Sequence, residues 1–173
     1  MTTGQTLLAL GALIFLTMSL LNFYNVFGYS RYTVDSAQLG IDATTISTSY
    51  MEIAYGLAFD AAVLDSTVVI NSPSDLRQSH TFGAPDSVNK ISEFSKFDDF
   101  HGFRDTVIIP DIGTYVTEFE VYYVYPGNVQ ARSINQTYAK RMDMKIWRIF
   151  PPPPEVGIDT LQMWTVMGYF SFQ

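Results

Sequence analysis

The first thirty residues contain no Asp, Glu, Lys or Arg, and no other feature of the sequence restricts the fold so strongly. Leu7-Leu-Ala-Leu-Gly-Ala-Leu-Ile-Phe-Leu-Thr-Met-Ser-Leu-Leu21 is continued by Phe23, Tyr24, Val26 and Phe27, with only small or weakly polar interruptions. A helix rises ~1.5 Å per residue, so about 20 such residues cross a hydrocarbon core ~30 Å thick. Lipid offers no partner to backbone amides, and a helix pairs them internally. Residues 1–30 are therefore expected to form an apolar half-helix able to span a bilayer. A cleaved secretory signal is the alternative, but that needs a basic leading region and a small-x-small cleavage site. Neither is evident. Basic residues flanking a first apolar run normally set its orientation, yet none precedes Arg31. Either this N-terminus is bland, or the chain is a mature form from which a charged leader has been removed.

The remaining length allows one modest domain. Only 16% of the 173 residues are charged, against about 25% in ordinary soluble domains, so part of the chain escapes water. A net charge of −7 with scattered basic residues argues against nucleic acid as a partner, since phosphate binding needs clustered Lys and Arg. The densest basic group, Lys140, Arg141, Lys145 and Arg148, is interleaved with Asp143 and apolar residues. With no cysteine, disulfides, thiol catalysis and cysteine-ligated metals are all excluded.

Residues 31–173 are expected to form a head of three parts. Residues 31–65 read as an amphipathic continuation of the first helix. Val34, Ala37, Ile41, Ile46, Tyr50, Ile53, Ala54, Leu57 and Ala58 follow helical spacing, and Asp35, Asp42, Glu52 and Asp60 supply the wet side. Gly28 and Gly40 are the candidate bending points. Residues 66–113 are rich in turn formers, as in Asn71-Ser-Pro-Ser-Asp75 and Gly83-Ala-Pro-Asp86, and read as loop, with 67–70 and 106–109 as short edge strands. From residue 114 the period shortens to two. Tyr115, Thr117, Phe119, Val121, Tyr123 and Tyr125 share one strand face, with Glu118 and Glu120 opposite, and Pro126-Gly127-Asn128 closes the strand. A second strand over 138–149 turns Met142, Met144 and Ile146 inward and Arg141, Asp143 and Lys145 outward. Pro151–Pro154 (residues 151–154) is a stiff spacer. A third strand over 161–172 is apolar on both faces, which places it centrally or beneath a neighbouring surface. The expected fold class is α+β, a long N-terminal helix with a protruding apolar half, packed on a small antiparallel sheet.

An uncharged apolar N-terminus, a helix twice the membrane's length and a small C-terminal sheet together resemble type IV pilins and pseudopilins. The resemblance implies a chain anchored in the inner membrane before assembly and handled by pilus assembly machinery. It then polymerises with copies of itself into a filament at the cell surface. Leu7, Leu8, Leu10, Leu13, Ile14, Phe15, Leu16, Leu20, Leu21 and Phe23 would form the filament core. Met1 and Gln5 would serve N-terminal assembly. If Met1 is the processed terminus, Gln5 stands where the family usually carries a Glu that pairs with a neighbour's α-amino group. If cleavage follows Gly4, the mature chain starts at Gln5. The family's usual Pro in the apolar half-helix and its C-terminal cysteine pair are both missing here. Bacterial and archaeal versions both fit. A single-pass anchored domain that binds an envelope partner is the other reading.

Little in the sequence points to catalysis, and no cofactor is implied. His80 and His101 lie in the loop region with no nucleophile elbow, His-Glu-x-x-His or phosphate-binding Gly-rich loop beside them. They read as surface residues. In Phe97-Asp-Asp-Phe-His-Gly-Phe-Arg-Asp105, the acids Asp98, Asp99 and Asp105 suggest a hard cation, but the stretch lacks the alternating ligands of a calcium loop. The plainer expectation is that Phe97, Phe100 and Phe103 pin the loop while the acids face water. Asn135-Gln-Thr137 matches the N-glycosylation pattern. Eleven tyrosines supply either sheet core or a face for contacts with neighbours or an adhesion target.

Overall fold

The computed structural model describes residues 2–65, 67–85, 88, 90–152 and 160–170. Helix α1 runs Thr3–Tyr55 through Gly28 and Gly40 without interruption. The chain divides into two compact units, Met1–Gly40 and Ile41–Gln173.

In the second unit, α1 is followed by a four-residue helix, α2 (Ala61–Leu64), and by four short 3-10 turns before the sheet begins. The strands are β1 (Arg104–Ile109), β2 (Gly113–Tyr125), β3 (Asn128–Arg132), β4 (Ala139–Phe150) and β5 (Thr160–Gly168). All pairings are antiparallel, in the order β1-β2-β4-β5, with β3 on the far end of β2. The fold is therefore α+β, with residues 41–55 of α1 laid on an open antiparallel sheet. The direction of the helix follows from its contacts. Asp42 meets Tyr115 and Tyr50 meets Phe119. Eight helical residues rise about 12 Å and four strand residues about 13 Å, so this part of α1 runs alongside β2 in the same sense.

Between β1 and β2, Asp111 takes a left-handed φ of 61°, which Asp tolerates better than most residues. At Gly113 a Cβ would come within 2.6 Å of the Phe150 carbonyl oxygen, so glycine permits the close approach of β2 and β4.

The core lies between α1, the 94–103 segment and the sheet. Phe119 packs edge-on against Tyr50, with centroids 4.9 Å apart, and also meets Phe100 at 5.1 Å and Phe103 at 6.3 Å. Phe94 packs edge-on against Phe100 and Phe103. Met142, Met144 and Ile146 are fully buried on β4, as the alternation predicts. A smaller cluster of Tyr122, Val124 and Ala139 covers the opposite face near β3.

Several expectations need correction. Residues 67–70 form no strand, whereas 106–109 lie in β1. Strand β3 fell between two elements that the sequence suggested, because five residues of mixed polarity carry no clear period. The amphipathic helix ends ten residues early, and its buried face is Asp42, Ala43, Ile46, Ser47, Tyr50 and Ala54. Ile41 and Ile53 are exposed instead, and Asp42 is buried by its bond to Tyr115. Tyr125 is also exposed, at the end of β2. Among the described residues strand β5 pairs with β4 alone, so the central placement is corrected to an edge. Pro151 and Pro152 follow β4, while the remainder of the proline run and Phe172 lie outside the described residues.

Candidate functional site

Two features stand out chemically. One is the surface of α1 in the first unit. Leu7, Leu8, Leu10, Leu13, Ile14, Phe15, Leu16, Leu20, Leu21 and Phe23 all lie on this helix and are between 51% and 77% exposed. At 100° per residue these positions cover the whole circumference rather than a stripe. A helix apolar all round is a membrane span or the core of a larger assembly, not the surface helix of a soluble domain. By length and composition α1 can cross a membrane. Two of its hydroxyls are satisfied within the helix, since Thr6 donates to the Thr3 carbonyl at 2.9 Å and Thr17 to the Leu13 carbonyl at 2.8 Å. The first charge, Arg31, lays its guanidinium over the Phe27 ring 5.1 Å away. Gln5 accepts the Thr2 backbone N–H at 3.3 Å, which caps its own helix. Met1 lies outside the described residues.

The other feature is a buried ionic centre, which the sequence reading missed. Beyond α1, Ala58 donates to the Ser95 carbonyl and accepts from Phe97 N–H, which strings residues 58–60 beside the 95–98 segment. Asp60 and Asp98 are thereby brought together under β4. Between them lies Lys140, fully buried. Its Nζ donates to Asp60 Oδ2 at 2.6 Å, to the Phe59 carbonyl at 2.8 Å and to Asp98 Oδ1 at 3.4 Å. Rings of Phe59, Phe82 and Tyr123 surround the ammonium, with centroids 4.6, 4.8 and 5.3 Å away. Asp60 Oδ1 accepts the Ala62 N–H at 3.1 Å and the Arg77 N–H at 3.2 Å. Arg77 Nη1 donates to Asp98 Oδ2 at 3.1 Å. Burial alone would raise the Asp60 carboxyl, yet the Lys140 charge and these hydrogen bonds hold it below the usual carboxylate range.

Asp98 and Asp99 do not face water, and Asp105 is half-buried. Asp98 belongs to the centre just described. Asp99 Oδ2 accepts the Ser95 and Lys96 N–H groups, both at 3.0 Å, and its Oδ1 lies 2.9 Å from Lys96 Nζ without hydrogen-bond alignment. Burial pushes this carboxyl up, but the Lys96 side chain and the two N–H groups outweigh burial and hold it low. Asp105 accepts from the Tyr50 hydroxyl at 2.7 Å. The three acids thus have separate protein partners, and no metal-ligating group of three His, Asp or Glu forms among the described residues. Phe97 and Phe100 are fully buried, so the aromatic half of that expectation stands.

His80 is exposed. His101 is half-buried, and its Nδ1 accepts the Val121 N–H at 3.1 Å, which ties the loop to β2. Asn135 is exposed between β3 and β4. Among the tyrosines, Tyr50, Tyr115, Tyr122 and Tyr123 are buried, whereas Tyr24, Tyr29, Tyr55 and Tyr125 are exposed.

Set against known proteins, the chain matches no family model, and no curated protein or solved structure is significantly similar to it.

Proposed function

We propose that this chain is a structural, non-enzymatic subunit of an extracellular pilus-like filament that polymerises through the apolar part of α1. In shape, a long apolar N-terminal helix with an antiparallel sheet resembles a pilin. The observation that carries the reading is the uncovered circumference of that helix. Burying one large apolar side chain is worth roughly 1.5–3 kcal/mol relative to water. Ten such residues amount to about 15–30 kcal/mol, too much to leave wet. Lipid covers them before assembly, and the same helices of neighbouring copies cover them afterwards. Transfer from lipid to a helical bundle relies on close packing rather than on the hydrophobic effect. Gly4 and Gly11 leave open space on the helix for such packing. The head then forms the outer surface at the cell exterior, and assembly machinery extracts the subunit from the inner membrane.

The test is electron microscopy of material sheared from cells, together with the mass of the N-terminus. Fibres containing the chain are expected. Leu13→Lys should abolish them, because an unpaired charge in a dry bundle costs several kcal/mol. Recovery of the native chain only as a dispersed monomer in detergent would overturn the filament and leave a single-pass anchored domain. Normal fibres from Leu13→Lys would overturn the proposed core.

A further inference from the structure

Lys140 is held in an arrangement with the components of an amide-forming reaction. We infer that Lys140 and Asp60 condense spontaneously to an intramolecular isopeptide bond, with Asp98 as the proton carrier. The ion pair described above is the unreacted form.

Three observations support this. The first is proximity. A 2.6 Å separation between Lys140 Nζ and Asp60 Oδ2 leaves the nitrogen within about 4 Å of Cγ, since the C–O bond adds only ~1.2 Å. That is close to the roughly 3–3.5 Å from which oriented groups react, and the fold holds both permanently. The second is dryness. Both side chains are fully buried, and three aromatic rings enclose the nitrogen. Burial opposes the charge on the Asp60 carboxylate, and although Lys140 and the hydrogen bonds keep it ionised at rest, proton transfer along the Lys140–Asp60 hydrogen bond leads to the minor neutral pair from which attack proceeds. The third is a pair of donors placed for the charge that develops. Asp60 Oδ1 accepts the Ala62 N–H at 3.1 Å, and the Arg77 N–H is shared between Oδ1 at 3.2 Å and Oδ2 at 3.3 Å, so both donors can stabilise negative charge that develops on Oδ1 at a tetrahedral Cγ.

The steps balance without any co-reactant. Lys140 Nζ passes one proton to Asp60 Oδ2 along their hydrogen bond, giving an amine and a carboxylic acid. The amine lone pair attacks Cγ, forming the C–N bond and placing negative charge on Oδ1. Asp98 Oδ1, 3.4 Å from Nζ, takes a second proton from the nitrogen. Arg77 holds the other Asp98 oxygen, which aims the carboxylate. Asp98 then delivers that proton to the Oδ2 hydroxyl, which departs as water while Oδ1 returns to a carbonyl. One lysine ammonium and one carboxylate become one amide and one water, and Asp98 is regenerated. A fully buried ion pair is replaced by a neutral group. The bond would tie the segment between α1 and α2 to β4 in a chain without cysteine, and it holds or fails whether or not the chain forms filaments.

The test is the intact mass of the full-length chain, purified in detergent and then denatured, followed by peptide mapping. The native chain should be lighter than its sequence by one water, and a branched peptide should join the segments holding Asp60 and Lys140. Lys140→Arg and Asp60→Ala should have the full sequence mass. Asp98→Ala should slow conversion at least tenfold, read as the mass change over time in samples whose circular dichroism shows a folded head. The native chain's full mass after prolonged folded incubation would overturn the inference. So would a water loss mapped to any other pair of residues.

Discussion

Removing the ring of Phe119 tests how the helix is held on the sheet. Its side chain is 4% exposed and is shared among α1, the 94–103 segment and β2. Three rings lie within 6.3 Å of it, those of Tyr50, Phe100 and Phe103. Phe→Ala in a closed core costs about 3–5 kcal/mol through lost transfer energy and the cavity left behind. Aromatic pairs add about 0.5–1.5 kcal/mol beyond buried area. With one partner on α1 and two on the 94–103 segment, collapse into the gap would require α1 and the loop to move together. The upper half of the range applies, and about 4 kcal/mol is expected for Phe119→Ala. In urea, with a slope of about 2 kcal/mol per molar, the midpoint should fall by roughly 2 M.

The assay is urea unfolding of the full chain in detergent, followed by the fluorescence of Trp147 and Trp164, which lie opposite strand partners on β4 and β5. Phe119→Leu keeps most of the volume and should cost about 1–2 kcal/mol. Ile108→Ala is the control. That side chain is 73% exposed, so its change should stay within about 0.5 kcal/mol. A loss below about 1.5 kcal/mol for Phe119→Ala, or equal losses for Ala and Leu, would refute the view that this ring joins helix, loop and sheet.

Three further outcomes follow from the same geometry. Asp99 has a carboxyl held below its ordinary 3.8, so its contribution is complete above that value and disappears as pH falls through the lower folded value. Asp99→Asn should therefore lower stability at neutral pH and flatten the acid limb of stability against pH; an unchanged acid limb would count against the pairing. Tyr122, chiefly through burial and its hydrogen bond to Asp143, is pushed up from 10.0 to about 12. Its contribution is present below 10 and is lost as pH rises from 10 towards 12, so Tyr122→Phe should show a shallower alkaline loss in urea titrations than the native chain. Gly113→Ala should cost about 1–3 kcal/mol in the same assay, because its Cβ would press on the Phe150 carbonyl oxygen.

The sequence displays the apolar part of α1 plainly, because the absence of charge over thirty residues does not depend on what packs against them. The two long strands are nearly as legible. Met142, Met144 and Ile146 alternate with Arg141, Asp143 and Lys145, and burial follows that alternation. The same period also places Lys140 and Arg148 on the inner face, and both are buried. The signal for the ionic centre was therefore present in the strand. Reading Lys140, Arg141, Lys145 and Arg148 as one group interleaved with Asp143 obscures it, although their parity divides them two and two. What the strand could not disclose is the partner. A lysine turned inward requires buried acid, but the chain offers 17 acidic residues, and Asp60 lies 80 positions away beyond the end of a helix. Asp60 looked like part of a wet helical face because the helix was expected to continue past residue 55. Once it stops, residues 58–60 run beside 95–98, and the acid enters the core to meet the cation. Helical periodicity failed at Asp42 for a related reason, since a tyrosine hydroxyl at position 115 makes that inward carboxylate acceptable. Hydrophobic patterning identifies faces by what avoids water. It misplaces a polar residue whenever a distant polar partner is buried with it, and in this head those pairs fix how α1 meets the sheet.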